Sequence, residues 1–174
     1  LLLSGCTAFP VTGTTTNPEV AQRVPEGTLD APGARTTLAQ LKVAAPGRMD
    51  GYSRSCEDGG ACLFGQPWFD ADGDGCDQRS QVLARDMVDV VRKEGRCAVK
   101  SGTLHDPYTG KTLTSVSKIQ IDHVVPLAEM WRSGAAAWTT EQRTAAANDL
   151  RNLVATDGKT NQAKGDQTPD QWMP

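Results

Sequence analysis

The chain has 174 residues, 38% of them hydrophobic, and a formal charge of −3. That length suits a single domain with its own core. No apolar run approaches the roughly 20 residues of a membrane-spanning helix, and the charge excludes the strongly basic footprint of a dedicated DNA-binding domain. Charge is nevertheless uneven: residues 1–78 carry a net −5 and residues 79–174 a net +2. The second part is therefore compatible with a phosphodiester ligand.

The chain opens on Leu1-Leu2-Leu3-Ser4-Gly5-Cys6. Leu3-Ser4-Gly5-Cys6 resembles the Leu-x-Gly/Ala-Cys box at the end of a lipoprotein signal peptide, which makes residues 1–6 a signal remnant and Cys6 a lipidation site. The rival reading is an incidental thiol in an exported segment. Both place the protein outside the cytoplasm, lipid-anchored or secreted, with membrane contact only through Cys6. Residues 7–35 are rich in Thr, Pro, Gly and Ala and read as a flexible stalk. From Thr37 onward Leu38, Leu41 and Val43 begin an apolar pattern, so the domain is placed at 36–174.

Four cysteines remain, at 56, 62, 76 and 97, and permit three pairings. Proximity favours Cys56–Cys62 and leaves Cys76–Cys97. Zinc is the rival, but the spacing lacks paired C-x-x-C units. Next, Asp70, Asp72 and Asp74 followed by Gly75 match the first half of a calcium loop, D-x-D-x-D-G. Its twelfth position is Gln81, where an EF-hand places a bidentate Glu. A polar Asp/Gly turn is the preferred reading, with a structural Ca²⁺ site on Asp70, Asp72 and Asp74 as the alternative.

Leu83, Met87, Val90 and Val91 have the i, i+4, i+7, i+8 spacing of one buried helical face, predicting a helix over 79–94 capped by Asp77 and stopped by Gly95. Cys97–Lys100 reads as a short strand, Asp106–Gly110 as a turn, and Lys118–Asp122 as a half-buried strand. A short helix is expected over Leu127–Arg132, ending at Gly134. Thr139 and Gln142 have the spacing of a capping box and open an alanine-rich helix to about Asn148. Leu150–Ala155 is expected as a strand. Asp157-Gly158 turns the chain into a last helix carrying Asn161 and Lys164.

Asp122-His123, Asn152-Leu153 and Asn161-x-x-Lys164-Gly165 resemble the HNH (ββα-metal) endonuclease motif, in the variant whose final His is Asn. Further strings point the same way: Gly51-Tyr52-Ser53-Arg54, Gly75-Cys76-Asp77-x-Arg79, Leu83-x-Arg85-Asp86, Asp106–Gly110, Asn148-Asp149 and Trp172-Met173-Pro174. Together, over residues 38–174, the chain resembles secreted bacterial HNH proteins related to the C-terminal domain of GmrSD-type restriction endonucleases. Gln78-Arg79-Ser80 departs from the Thr-Arg-Asn more usual in that branch. The resemblance implies an α+β fold: a ββα-metal core with extra helices.

Hydrolysis of a phosphodiester needs an activated water, a cation at the phosphate and help for the leaving oxygen. A neutral imidazole accepts a proton near pH 7, which makes His123 the candidate general base, with Asn152 as the partner that orients it. Asp122 and Asn161 offer hard oxygen ligands of the kind Mg²⁺ uses, with Mn²⁺ as a substitute. Lys164, Arg143 and Arg151 are the candidate phosphate contacts. Arg79, Arg85 and Asp86 read as structural. The expected function is a metal-dependent endonuclease acting on DNA rather than RNA, with no protein partner implied. The competing functions are a non-enzymatic calcium-binding envelope lipoprotein domain and a degenerate nuclease fold that only binds nucleic acid.

Overall fold

A computed structural model of the chain describes residues 29–57 and 60–174. Cys6 and the stalk up to residue 28 lie outside the described residues. The last stalk residues, 31–35, fall within a helix. Asp30 caps a helix, α1 (Ala31–Gln40), by accepting a hydrogen bond from Gly33, but α1 has no buried residue. Leu38, Leu41 and Val43, expected to open the core, are 67%, 60% and 96% exposed. The chain first bonds to the body of the domain at Gly47, whose N–H donates to the Arg132 carbonyl.

The expected helix over 79–94 divides in two. Helix α2 (Gln78–Asp86) is capped by Asp77, which accepts from the Ser80 N–H, and it buries Val82 and Leu83. At Met87 the backbone turns extended and strand β1 (Met87–Arg92) begins. Met87, Val90 and Val91 satisfied a helical spacing, but the valine-rich run has the χ1 stiffness that favours strands. A partner is also at hand: β1 pairs antiparallel with β2 (Val99–His105), with a register shift between Val88 and Val91 around Asp89 at φ 52°. The helix end is pinned from across the core as well. Arg85 donates to the carbonyls of Leu150 and Leu153, while Asp86 accepts from Arg85 and from the Ala155 N–H.

Strand β3 (Thr112–Leu113) completes this three-stranded sheet, joined to β2 by the Asp106–Gly110 turn. A second sheet pairs β4 (Ile119–His123) antiparallel with β5 (Leu153–Asp157), with Ile121 opposite Ala155 and His123 opposite Leu153. Between these strands lie α3 (Leu127–Arg132) and α4 (Thr140–Ala147), the latter with both halves of its capping box formed by Thr139 and Gln142. After β5, Asp157 caps α5 (Gly158–Lys164), which ends at Gly165 with φ 57°. Gly158 permits the tight junction: a Cβ there would lie 3.0 Å from the Lys118 carbonyl oxygen. No described helix is long and apolar enough to cross a membrane.

Two apolar clusters result. One joins Val82, Leu83, Met87, Val99, Leu104, Ile119, Ile121, Leu153 and Ala155 beneath both sheets. The other gathers Phe64, Leu127, Trp131 and Ala147, with Tyr52 edge-on to Phe64 and Trp131. Two disulfides, Cys56–Cys62 and Cys76–Cys97, staple the connecting loops, the second tying the start of α2 to the start of β2. The protein is thus a mixed α+β domain with small sheets.

Candidate functional site

A cleft of about 350 Å³ opens where the two clusters meet. Phe64, Leu127 and Ala147 come from one cluster, Ile121 and Leu153 from the other, and Arg54, Gln120, His123, Asn148 and Asn161 supply its polar groups. A neighbouring concavity shares Arg54, Gln120, His123 and Asn161 and adds Asp122. The last residues of β4 and the middle of α5 thus face one space, because α5 folds back against β4.

His123 sits at the end of β4, half-buried, with Nε2 2.8 Å from the Ala147 carbonyl oxygen. A carbonyl only accepts, so Nε2 carries the proton and donates it. The neutral ring then has its lone pair on Nδ1, which has no hydrogen-bond partner among the described residues. Burial pushes the His123 pKa below its ordinary value, and the positive charge of Arg54 adds to the effect. The Ala147 carbonyl works against them. The imidazole is therefore neutral at pH 7. Asn152 does not orient this ring, contrary to expectation. Its carbonyl accepts from Val124 N–H at 2.8 Å, and its side chain clasps Val125 through Oδ1 to N–H (2.7 Å) and Nδ2 to the carbonyl (3.0 Å). Asn152 fixes the loop that leaves His123; the backbone of α4 holds the ring.

Asp122 is buried. Its Oδ1 accepts from Lys164 Nζ at 2.9 Å and its Oδ2 from the Tyr108 hydroxyl at 2.6 Å. Burial, and the Asp122 carboxylate beside it, raise the Tyr108 pKa far above its ordinary value, so the phenol stays a donor. Lys164 also donates to the His123 carbonyl at 3.0 Å and is itself only 4% exposed. It is not a surface cation awaiting a phosphate: its charge is spent on Asp122 and on the end of β4. Asn161 donates Nδ2 to Gln120 Oε1 at 2.9 Å, leaving its side-chain Oδ1 without a hydrogen bond among the described residues, while its backbone carbonyl accepts from Gly165.

The two candidate arginines also sit elsewhere than expected. Arg143 is buried over the Trp131 ring, 5.6 Å from its centroid, and donates to the carbonyls of Leu63, Ala135 and Trp138. It ties α4 to the disulfide loop. Arg151 is exposed but forked onto Asp149 outside the cleft. The cation that does line both concavities is Arg54, exposed on the Gly51–Arg54 segment. Sequence spacing could not place it, because only the packing of Tyr52 on Phe64 and Trp131 brings this segment beside β4.

The acidic loop stands apart. Ligand oxygens of Asp70, Asp72 and Asp74 lie within 4.8 Å of one another. Each carboxylate oxygen already accepts a hydrogen bond: Asp70 from the Gly73 and Gly75 N–H, Asp72 from Asp74 N–H and the Gln81 amide, Asp74 from Cys76 N–H and the same amide. Gln81, at the twelfth position, donates its side-chain amide to both Asp72 and Asp74.

The fold and the cleft define a small disulfide-bonded α+β domain with a carbonyl-oriented histidine between two clusters. The chain belongs to the family described as GmrSD restriction endonucleases, C-terminal domain, whose family model matches residues 77–172. It is therefore nuclease-related. It is also similar to an uncharacterized secreted protein of the fungus Arthroderma benhamiae, 46% identical over 143 residues. That alignment covers 81% of this chain, and the chain spans 65% of the relative's length. No solved structure matches.

Proposed function

We propose that the domain is an exported, metal-dependent endonuclease of the HNH (ββα-metal) type that hydrolyses phosphodiester bonds of nucleic acid, DNA before RNA. The observation that carries this reading is His123: a neutral imidazole whose Nε2–H is fixed by the Ala147 carbonyl, in a cleft shared with Arg54 and Asn161. The antiparallel pair β4 and β5 followed by α5 has the element order of a ββα unit, with Asp122-His123 ending its first strand. The matched family and the secreted relative support the nuclease and export assignments. In the same reading the segment before residue 36 is a tether and Cys6 its lipid attachment.

The residues fit a Mg²⁺ or Mn²⁺ ion. Asp122 keeps one lone pair on each carboxylate oxygen beyond its bonds to Lys164 and Tyr108, and the Asn161 side-chain Oδ1 is uncommitted. Two hard oxygen ligands suit a cation that retains most of its hydration. When bound, such an ion offsets charge on the phosphate and on the leaving oxygen. The chain does the rest. His123 Nδ1 accepts the proton of the attacking water, and Arg54 neutralises a phosphate oxygen. Lys164 and Tyr108 hold Asp122 in place, and Asn152 keeps the loop after His123 closed.

His123→Ala should lower Mg²⁺- or Mn²⁺-dependent plasmid nicking by about 10²–10⁴-fold, the usual contribution of a general base. Its circular dichroism and melting should remain native. Unchanged nicking by that variant would overturn the assignment.

A further inference from the structure

One wall of the cleft does not take part in the proposed chemistry. It runs along Gly65, Gln66, Pro67 and Trp68, ahead of the acidic loop. Large apolar side chains usually leave water, yet Trp68 is 42% exposed and Phe69, next to it, is 48% exposed. Trp68 also sits at φ 58°, a backbone conformation rare for a bulky side chain. Hydrophobic packing does not account for a strained and exposed indole at the mouth of a cleft.

The ring is backed by a fixed cation. The Arg79 guanidinium lies 5.8 Å from the Trp68 centroid, inside cation–π range. Arg79 is anchored in turn: Nη2 donates to the carbonyl of Ile119 at 3.0 Å, the first residue of the strand that ends in His123. Arg79 therefore links the indole to the strand that carries the imidazole. The charge pattern narrows the ligand. The described residues lining this cleft include Arg54, Arg79 and His123 and no carboxylate, together with the amides of Gln66, Gln120, Asn148 and Asn161. Cations suit phosphate, a flat aromatic face suits a base, and primary amides suit the edge of a base. A protein partner would call for an apolar patch with a polar rim, not an aromatic at the edge of an acid-free polar cleft.

We propose that Trp68, backed by Arg79, is a stacking subsite for an unpaired nucleobase next to the bond being cut. The proposal rests on the endonuclease reading above and deepens it. Bases inside a duplex are stacked on one another and reach an aromatic platform only after unstacking. The substrate class is accordingly single-stranded or locally unpaired nucleic acid, and the shared ligand is a nucleotide with its base free.

The test uses full-length protein carrying His123→Ala, so that binding is read without cleavage. Fluorescence anisotropy is measured with short labelled oligothymidylate, its ribo-counterpart, an abasic strand of equal length, and duplex. The base-bearing strands should bind more tightly than the abasic strand and the duplex. Adding Trp68→Ala should weaken base-bearing strands by roughly 5- to 150-fold, the range measured for one stacked base, and leave the abasic strand unchanged. Trp68→Phe, which keeps a ring, should retain most of the binding. Comparing the ribo- and deoxyribo-strands shows which sugar the site accepts. Equal loss on base-bearing and abasic strands, or no loss at all, overturns the subsite while leaving the His123 assignment standing. Failure of the protein without substitutions to bind or cut any of these strands overturns both.

Discussion

The carboxylates of the acidic loop and that of Asp122 are chemically alike and have opposite surroundings. Asp72 and Asp74 are exposed and accept hydrogen bonds from their own turn and from Gln81. The Gln81 amide is the main reason the Asp72 pKa falls below its usual value. Asp122 is buried, and a lysine and a tyrosine from distant parts of the chain meet it. In the loop each partner is replaceable by water, so little depends on any one bond. In the interior no water is at hand, and removing one partner leaves a charge uncompensated. Concentrated negative charge alone is a weak sign of function; a single carboxylate held from several directions beside an oriented histidine is a stronger one.

The sharpest way to break this contrast is Lys164→Met. It leaves Asp122 buried without its cation and should cost about 3–5 kcal/mol in urea unfolding, the usual price of opening a buried pair from one side. A loss close to zero would mean that the pair is solvated and that the two regions do not differ. Replacing Cys76 and Cys97 together by Ser should cost roughly 2–4 kcal/mol, since the bridge closes the loop between α2 and β2. That loss should leave the pH dependence of cleavage unchanged, because neither cysteine lines the cleft or its neighbouring concavity.

A pH profile follows from His123. Its folded pKa lies below the unfolded value of 6.5, so cleavage should hold constant at neutral pH and fall only below pH 6.5. The linkage has the same sign. Below 6.5 the unfolded chain binds a proton that the folded protein does not, so this contribution to stability is complete above 6.5 and is lost as pH falls toward the folded pKa. A midpoint for kcat/KM above 6.5 would contradict the burial that sets the shift. The smallest effect belongs to the loop: added Ca²⁺ should leave the melting temperature unchanged by scanning fluorimetry, with or without Asp72→Ala. A Ca²⁺-dependent rise that Asp72→Ala removes, in a protein with no nuclease activity under any divalent ion, would favour the calcium-binding reading.

Much of the fold is legible locally. Caps at Asp77 and Thr139, the Asp106–Gly110 turn, the Asp157-Gly158 junction into the last helix and the short helix after Pro126 all form as their residues dictate. Each is a hydrogen-bonding choice made within a few residues. Two runs depart from this: Met87 to Val91 fits a helix by spacing, and the pairing with β2 makes it a strand, while Leu150–Asn152, expected in a strand, forms a 3-10 turn ahead of β5. The Cys56–Cys62 and Cys76–Cys97 pairs follow from proximity along the chain.

The candidate site divides in the same way. The sequence by itself determined that an Asp and a His end one strand, and that an Asn and a Lys share the last helix. It could not determine what each side chain faces. The Ala147 carbonyl, not Asn152, holds His123, and Lys164 serves Asp122. Arg54 and Trp68 reach the cleft from loops whose positions are set by aromatic packing and by Arg79. The physical reason is that local geometry follows from a residue's neighbours in the chain. The burial of a charge and the tautomer of a ring are decided by whatever packs across from them, and only the tertiary structure supplies that partner.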